Sequence, residues 1–273
     1  MAGRLEGKVA FISGAARGQG RSHAVRFAEE GADIVAWDIC SQIDSVGYPM
    51  STPEDLKETA RLVTDRGRRI VTVQADARDL QAVQAVFEQG WSKFGQCDSV
   101  IINHGIMPFV GDTGDSRQSF LDCIDVMLTG VYNTLRVAVP PMIDAGQGGS
   151  IVITSSMAGI RPWGDWTAGS LGYTAAKTGV IGLMRLTARQ LGKYSIRCNT
   201  VHPTGVGTPM VQNDAFDLYV STRREQFEQV RRALPLSVLD PVDVSNMMVY
   251  LCSDEARYIT GGTHLIDGGQ SVS

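Results

Sequence analysis

Short runs of apolar, β-branched residues alternate along the chain with longer stretches of helical spacing, and this alternation constrains the fold most strongly. The runs predict seven strands: Lys8–Ser13, Asp33–Asp38, Ile70–Gln74, Asp98–Asn103, Ser150–Ser155, Ile196–Val201 and Thr263–Asp267. The longer stretches predict seven helices: Gly18–Glu30, Pro53–Arg66, Leu80–Phe94, Arg117–Asp144, Tyr173–Tyr194, Phe216–Ala233 and Val242–Ser253. Because the strand runs show little polar alternation, the sheet is expected to be covered on both faces. We therefore predict an α/β fold, a Rossmann-like doubly wound seven-stranded parallel sheet in three α/β/α layers.

The length and composition suit a single domain over residues 1–273. Hydrophobic residues make up 43% and charged residues 20% of the chain, which are ordinary values for a globular protein. No apolar run approaches the roughly 18 residues of a membrane span. Residues 1–8 lack the apolar core of a secretory signal, so a cytoplasmic location is expected. A formal net charge of −4 offers no basic surface to nucleic acid. The five cysteines include no Cys-x-x-Cys pair, which indicates reduced packing residues and no metal site.

Two segments exceed what a minimal alternation of strands and helices requires. An insertion at about residues 41–52 follows the second strand, and the polar, tryptophan-bearing segment 161–172 follows the fifth. A substrate loop is expected at about residues 204–235. In open α/β sheets, ligands bind beyond the carboxyl ends of the strands, so the loops after the fourth, fifth and sixth strands are expected to converge on the functional site.

A glycine-rich turn joins the first strand to the first helix. Gly14, Gly18 and Gly20 fall where the backbone must turn tightly and admit a diphosphate against a helix N-terminus. The predicted cofactor contacts in this turn are Gly14, Ala16, Arg17, Gly18, Gln19 and Gly20.

An acidic residue, Asp38, ends the second strand. A carboxylate there is placed to accept hydrogen bonds from the adenosine ribose and would repel a 2′-phosphate, which predicts NAD as the cofactor. Arg17 could pair with that phosphate, so an NADP-linked carbonyl reductase remains an alternative. Asp76 and the Asn103-His104-Gly105 turn end the next two strands at the same edge. Asp76 could instead cap a helix, and Asn103 could tie neighbouring strands. The predicted cofactor contacts at these strand ends are Asp38, Ile39, Asp76, Ala77, Asn103 and Gly105.

Tyr173 and Lys177 are four residues apart and therefore share one face of a helix. The ammonium is expected to lower the pKa of the phenol, so that Tyr173 can exchange a proton with a substrate near neutral pH. Ser156, after the fifth strand, is expected to hydrogen-bond the substrate oxygen and is favoured over Ser155.

These residues, taken in order from Lys8 to Gly269, resemble the short-chain dehydrogenase/reductase family. The resemblance rests on the glycine turn, the Asp76 position, the Asn103 turn, Ser156 with Tyr173 and Lys177, and the segment from His202 to Met210. It implies hydride transfer between NAD and an alcohol or ketone in a homotetramer. Tyr173 would act as general acid/base, Ser156 would orient the substrate oxygen, and Lys177 would also bind the nicotinamide ribose. Cofactor contacts implied further along the chain are Tyr173, Lys177, Pro203, Val206, Thr208 and Met210.

The residues 38–43, 48–49 and 52–56 are similar to a carveol dehydrogenase-like subgroup associated with mycofactocin. This similarity implies that the 41–52 insertion covers the adenosine end, that NAD exchanges poorly, and that an external redox carrier such as mycofactocin reoxidises it. The alternative is that the insertion is a surface loop. The substrate implied is a secondary alcohol such as the cyclic terpenoid carveol. Candidate apolar pocket residues are Met107, Pro108, Trp163, Trp166, Met210 and the segment 211–219, although the two tryptophans could instead be core or interface residues.

Two positions depart from the family pattern. Met127 stands where the family usually has an asparagine that links the lysine to solvent, and a thioether cannot replace that amide. This keeps open a second class of function, an NAD-binding regulatory protein with weak turnover. His104 replaces a small residue, and we predict that it fills space and does not face the substrate.

Overall fold

A seven-stranded sheet forms the centre of the molecule. The computed structural model describes residues 3–111, 114–228 and 230–273. The strands are β1 (Val9–Ser13), β2 (Asp33–Asp38), β3 (Ile70–Gln74), β4 (Ser99–Ile102), β5 (Gly149–Thr154), β6 (Ile196–Pro203) and β7 (Thr263–Ile266). Their order in the sheet is β3-β2-β1-β4-β5-β6-β7, and every pair is parallel. The predicted fold class is therefore confirmed.

Helices cover both faces of this sheet. They are α1 (Gly18–Glu29), α2 (Pro53–Thr64), α3 (Leu80–Phe94), α4 (Arg117–Ile124), α5 (Gly130–Ala145), α6 (Ala168–Leu191), α7 (Asp214–Ser221), α8 (Arg224–Glu228) and α9 (Pro241–Cys252). Successive side chains of a strand point to opposite faces. Accordingly, Val9 and Phe11 pack with α3, α5 and α6, whereas Ala10 and Ile12 pack with α1, α2 and α9. A third cluster, above the carboxyl edge of the sheet, contains Tyr48 of the insertion.

The stretch predicted as one helix, Arg117–Asp144, is divided into segments of different helix type. A π turn over Asp125–Thr129 separates α4 from α5. Such turns insert an extra residue into a helix and are frequent at functional sites. Here the turn places buried Met127 beside Gly105, and α5 begins at Gly130, where a Cβ would lie 2.9 Å from His104 Nε2. The predicted helix is thus confirmed as one continuous helical stretch over residues 117–145, but periodicity did not predict the π turn within it, which depends on tertiary contacts.

Two helix boundaries elsewhere in the chain were predicted wrongly. Helix α6 begins at Ala168, not Tyr173, because Thr167 caps it and accepts a hydrogen bond from the backbone N–H of Ser170. The predicted helix Phe216–Ala233 is instead the two short helices α7 and α8, with residues 230–233 outside any helix. Leu234 N–H bonds the carbonyl of Gly268, which draws this segment toward β7.

Across the described ranges, no helix combines the length and the apolar character that crossing a bilayer would require.

Candidate active site

Two cavities open at the carboxyl edge of the sheet and meet at Gln19, Thr208 and Met210. We call the first the glycine cavity, because it follows the turn from Gly14 to Gln19 and the ends of β2, β3 and β4. The second has a volume of about 390 Å³ and is bounded by Ser156, Tyr173 and several aromatic rings; we call it the aromatic cavity. The loops that were expected to converge on a functional site therefore do meet, around these two cavities.

Backbone geometry explains the glycine turn. Gly14 has φ of 63°, and a Cβ there would lie 2.8 Å from the Cα of His104. A Cβ on Gly20 would lie 2.0 Å from the carbonyl oxygen of Gly14, so Gly20 permits close packing behind the turn and does not line the cavity. Helix α1 starts after Arg17 with no side-chain cap. Its first N–H groups are therefore open to an anion, and the turn fits a diphosphate.

Asp38 is only 8% exposed, and its carboxylate is held from three sides at the wall of the glycine cavity. Its Oδ2 accepts a hydrogen bond from Ala16 N–H at 3.0 Å. Its Oδ1 accepts hydrogen bonds from Ser51 Oγ at 2.6 Å and Cys40 N–H at 3.3 Å. Ala16, a predicted cofactor contact, thus orients Asp38 from behind the cavity wall. Ser51 was not predicted as part of the site, because no local pattern marks it.

The 41–52 insertion is a packed wall of the glycine cavity, which contradicts the surface-loop alternative. Tyr48 is buried, and its hydroxyl oxygen accepts a hydrogen bond from Met107 N–H at 3.1 Å. Arg17 Nη2 donates to the carbonyl oxygen of Pro49 at 2.5 Å, so this guanidinium joins the glycine turn to the insertion. Ser45 Oγ donates to Asp122 at 2.6 Å, which fixes the insertion to α4.

Asp76 and Asn103 also reach the glycine cavity. Asp76 pairs with Arg78; burial acts to raise the pKa of this carboxyl, but hydrogen bonds from Arg78 outweigh it and lower the pKa. Asp79, not Asp76, caps α3, so the helix-cap alternative was wrong. Asn103 Nδ2 donates to the carbonyl of Gly14 at 3.3 Å, while its Oδ1 accepts from Thr154 at 3.1 Å. Asn103 therefore ties strand ends together and lines the cavity as well.

The two serines after β5 have different surroundings. Ser155 Oγ is buried and donates a hydrogen bond to the carbonyl oxygen of Lys177 at 2.7 Å. This hydroxyl therefore has a structural role. Ser156 lines the aromatic cavity together with Tyr173, and its Oγ accepts a hydrogen bond from Ala158 N–H at 3.1 Å. His202, on the adjacent strand β6, lies with its Nδ1 2.9 Å from the carbonyl oxygen of Ser156. A carbonyl only accepts, so the ring nitrogen donates and holds the serine backbone.

Lys177 lies under the cavities with its side chain buried. Its Nζ donates to the carbonyl oxygen of Thr154 at 2.8 Å and lies 5.8 Å from the centre of the Tyr173 ring. Burial lowers the pKa of Lys177 to about 8. Burial likewise raises the pKa of Tyr173, and the neighbouring Ser156 offsets only part of this rise. The direction is opposite to the lowering expected from Lys177, because desolvation is the largest influence on the phenol.

Met127 and His104 occupy the two positions that depart from the family pattern. A Cβ built on Gly105 would lie 3.6 Å from both Met127 Sδ and Lys177 Nζ, so the thioether and the ammonium both lie next to Gly105. His104 Nδ1 lies 2.8 Å from Ser13 Oγ, and its ring packs on Trp37 at 5.7 Å between centroids. Burial lowers the pKa of His104 to about 3, so the ring is neutral. It packs beside the glycine turn and does not reach the aromatic cavity.

Aromatic rings shape the second cavity. Phe109 contacts Tyr173 edge-on at 5.3 Å between centroids, and Trp163 contacts Phe227 in the same manner at 5.1 Å. Met107, Trp163 and Met210 line the cavity as predicted, together with Val211, Gln212 and Phe216 of the segment 211–219. Phe109 and Phe227 were missed, because nothing in their local sequence marks them. Trp166, at 85% exposed, and Pro108 do not line the cavity and were predicted wrongly.

The predicted cofactor contacts divide between the two cavities. Those lining the glycine cavity are Gly14, Arg17, Gly18, Gln19, Asp38, Ile39, Asp76, Ala77, Asn103, Gly105, Thr208 and Met210. Pro203, Val206 and Tyr173 line the aromatic cavity, while Ala16, Gly20 and Lys177 lie behind the walls. Within the described residues, no three His, Cys, Asp or Glu side chains form a group suited to a metal ion.

Comparison with known proteins assigns the family. A family model described as enoyl-(acyl carrier protein) reductase matches residues 14–271. A (−)-trans-carveol dehydrogenase of Rhodococcus erythropolis is 43% identical over 281 residues, covering 98% of this chain and 99% of the relative. Carveol dehydrogenase from Mycobacterium avium in complex with NAD has a TM-score of 0.91 at 45% identity, covering 99% of this chain and 100% of that one. A short chain dehydrogenase from Mycobacterium paratuberculosis bound to NAD has a TM-score of 0.92 at 40% identity, with the same coverage. The resemblance in the sequence is thereby confirmed, and the chain belongs to the short-chain dehydrogenase/reductase family of oxidoreductases.

Proposed function

We propose that this protein interconverts a secondary alcohol and its ketone with NAD as the hydride carrier. The observation that carries the proposal is that the side chains of Ser156 and Tyr173 line one cavity, the aromatic cavity, which meets the glycine cavity. Two structural relatives are NAD complexes, and relatives at 43% and 45% identity are carveol dehydrogenases. A cyclic terpenoid alcohol such as carveol is therefore our first candidate substrate.

The glycine cavity fits a dinucleotide of this kind. The uncapped start of α1 would hold the diphosphate, and Asp38 would accept hydrogen bonds from the adenosine ribose hydroxyls. The Asp38 carboxylate opposes a 2′-phosphate, and Arg17 is already bonded to the carbonyl of Pro49, so both residues favour NAD over NADP. When bound, NAD would supply the hydride acceptor for alcohol oxidation and, in its reduced form, the hydride donor for ketone reduction.

The chain's own residues would handle the proton. Ser156 donates a hydrogen bond to the substrate oxygen, and Tyr173 takes the hydroxyl proton during oxidation or returns it during reduction. Because burial raises the pKa of Tyr173, the phenol is protonated at neutral pH, which suits reduction. Oxidation needs a lower pKa, for which the Lys177 ammonium and the positive charge of oxidised nicotinamide would act together. Lys177 would also bind the nicotinamide ribose.

We further propose that NAD exchanges slowly and that an external redox carrier, such as mycofactocin, reoxidises it in place. The support is the insertion, which is fixed to Arg17, Asp38, Met107 and Asp122 around the adenosine end. We expect these contacts to slow the departure of a nucleotide held there.

Two measurements test these proposals. Denaturing the purified protein should release NAD, and NADP in quantity would reject the choice of cofactor. A panel of alcohols that includes carveol should then be oxidised with an artificial electron acceptor and slowly with free NAD alone. Equal rates under both conditions would reject slow exchange without affecting the proposed chemistry.

We also propose a cytoplasmic homotetramer. Tyr132 of α5 and Leu186 of α6 are exposed, as residues of a subunit interface would be in an isolated chain. Sedimentation equilibrium would show a tetramer mass, and a monomer would reject this assignment.

A further inference from the structure

One wall of the aromatic cavity contains a positively charged side chain, Arg232. Arg232 lines this cavity together with Thr204 and Gln270, whereas most of the remaining wall is apolar. Arg232 donates through Nε and Nη2 to a single acceptor, Thr204 Oγ1, at 3.2 Å and 3.0 Å. Thr204 Oγ1 itself donates to Gln270 Oε1 at 2.5 Å. The threonine oxygen is thus fully used, while the guanidinium has further N–H groups to offer.

Arg232 differs from many other arginines of this protein in its lack of a carboxylate partner. Arg4, Arg78 and Arg223 each contact an acidic side chain within 3.5 Å. Among the residues whose side chains the structure describes, no acidic group lies within ion-pair distance of Arg232. Burial lowers the pKa of this arginine. A cation that is partly removed from water without a counter-ion is unfavourable unless a bound anion supplies one.

Arg232 lines the same cavity as Ser156 and Tyr173. Thr204, its partner, directly follows β6, and the ring of His202 in β6 bonds the carbonyl of Ser156. Ser156, at the reacting centre, and Thr204, the partner of Arg232, therefore follow two neighbouring strands, β5 and β6. A purely hydrocarbon body would remove water from Arg232 and give no hydrogen bond in return, so carveol alone leaves this group unexplained.

We infer that the natural substrate carries, in addition to the reacting hydroxyl, a carboxylate that Arg232 binds. The substrate class is then a hydroxylated alicyclic or long-chain acid, and its product is the corresponding keto acid. This inference rests on the proposed function and narrows it, because a planar guanidinium binds a carboxylate through two parallel hydrogen bonds.

The test compares cyclohexanol, its derivative with a carboxylate on the opposite ring carbon, and the matching primary carboxamide. We expect the acid to have a kcat/KM about 10-fold or more above that of cyclohexanol, with an artificial electron acceptor present. Arg232→Met should lower kcat/KM for the acid roughly 10- to 100-fold and leave cyclohexanol within about twofold. Arg232→Lys should retain part of the preference. The matched control is Arg231→Met, since Arg231 is exposed and outside the cavity.

Equal losses for the acid and cyclohexanol in Arg232→Met, or an amide used as well as the acid, would overturn the inference. Binding of cyclohexanecarboxylate, measured by calorimetry on the NAD-loaded protein, gives a readout that needs no turnover. Loss of that binding in Arg232→Met supports the carboxylate site, and unchanged binding rejects it. If no alcohol is oxidised while this binding is present, the proposed function fails and the carboxylate site does not.

Discussion

The glycine cavity and the aromatic cavity share three residues, yet different forces shape them. In the glycine cavity, main-chain geometry and hydrogen bonds set the walls: Gly14 must approach His104 closely, and Asp38 is held by two backbone N–H groups and Ser51. In the aromatic cavity, side-chain packing sets the walls, with Phe109, Trp163 and Phe227 meeting from three separate segments. The glycine cavity is therefore suited to a ligand that does not vary. In the aromatic cavity, by contrast, substitution of a single side chain can change which ligand binds.

The largest effect on activity is expected from removing the hydroxyl of Tyr173. Tyr173→Phe keeps the ring contact with Phe109 but removes the proton-transferring hydroxyl, so single-turnover alcohol oxidation should fall roughly 10²- to 10⁴-fold. Nucleotide binding, followed by fluorescence, should persist. The control is Tyr258→Phe, because Tyr258 is exposed. An unchanged single-turnover rate would exclude Tyr173 as the acid/base.

The next largest effect concerns the glycine cavity. Asp38→Ala removes a charged acceptor from the ribose site and should weaken NAD binding roughly 10- to 100-fold. It should also raise the affinity for NADP relative to NAD, because the like charge is gone. Asp65→Ala, which breaks only an exposed pair with Arg61, is the matched control. A uniform loss for both nucleotides would mean that Asp38 acts only through the fold.

In the aromatic cavity, the two tryptophans form a natural pair. Trp163→Ala removes a ring that contacts Phe109 and Phe227, and we expect KM for a bulky alcohol to rise about 10-fold. Trp166→Ala removes an exposed ring and should leave KM unchanged. Steady-state kinetics measure KM for the bulky alcohol in both variants. An equal rise of KM in the two variants would mean that the segment 161–172 moves as substrate binds.

The smallest effect is on stability. Holding the Lys177 pKa at about 8 instead of 10.5 costs roughly 3 kcal/mol of folding free energy at pH 7. Lys177→Met removes this cost but leaves the Thr154 carbonyl and nearby packing less satisfied, so a net gain of about 1 kcal/mol is expected. Since the unfolded chain binds more protons than the folded one between about pH 8 and pH 10.5, the wild type gains stability as pH rises through that window.

The advantage of Lys177→Met in unfolding free energy should therefore shrink from pH 7 to pH 10.5, while its activity is lost. Urea unfolding at matched nucleotide content measures this difference. A difference independent of pH would show that the ammonium is not what destabilises the wild type.

The two cavities also differ in what the sequence could predict. The strands, the glycine turn and Asp38 were identifiable because each depends on local chemistry: β-branched runs, positive φ and a charge at a strand end. Phe109, Phe227 and Arg232 could not be identified, because their roles arise only when distant segments pack together. The π turn at 125–129 and the early start of α6 were missed for a related reason, since tertiary packing and a cap at Thr167 override helical periodicity.

The proposed slow exchange of NAD has a kinetic consequence. Arg17 is bonded to Pro49 and Tyr48 to Met107, which fixes the insertion on the glycine cavity, so substrate would reach Tyr173 through the aromatic cavity. Under slow nucleotide exchange, the alcohol must leave as ketone before the oxidant can enter the same space. Such an enzyme would hold the electrons on its bound nucleotide between the two half-reactions, as a flavoprotein holds them on its flavin. Initial rates measured at varied concentrations of alcohol and oxidant should therefore give the parallel double-reciprocal lines of a ping-pong mechanism.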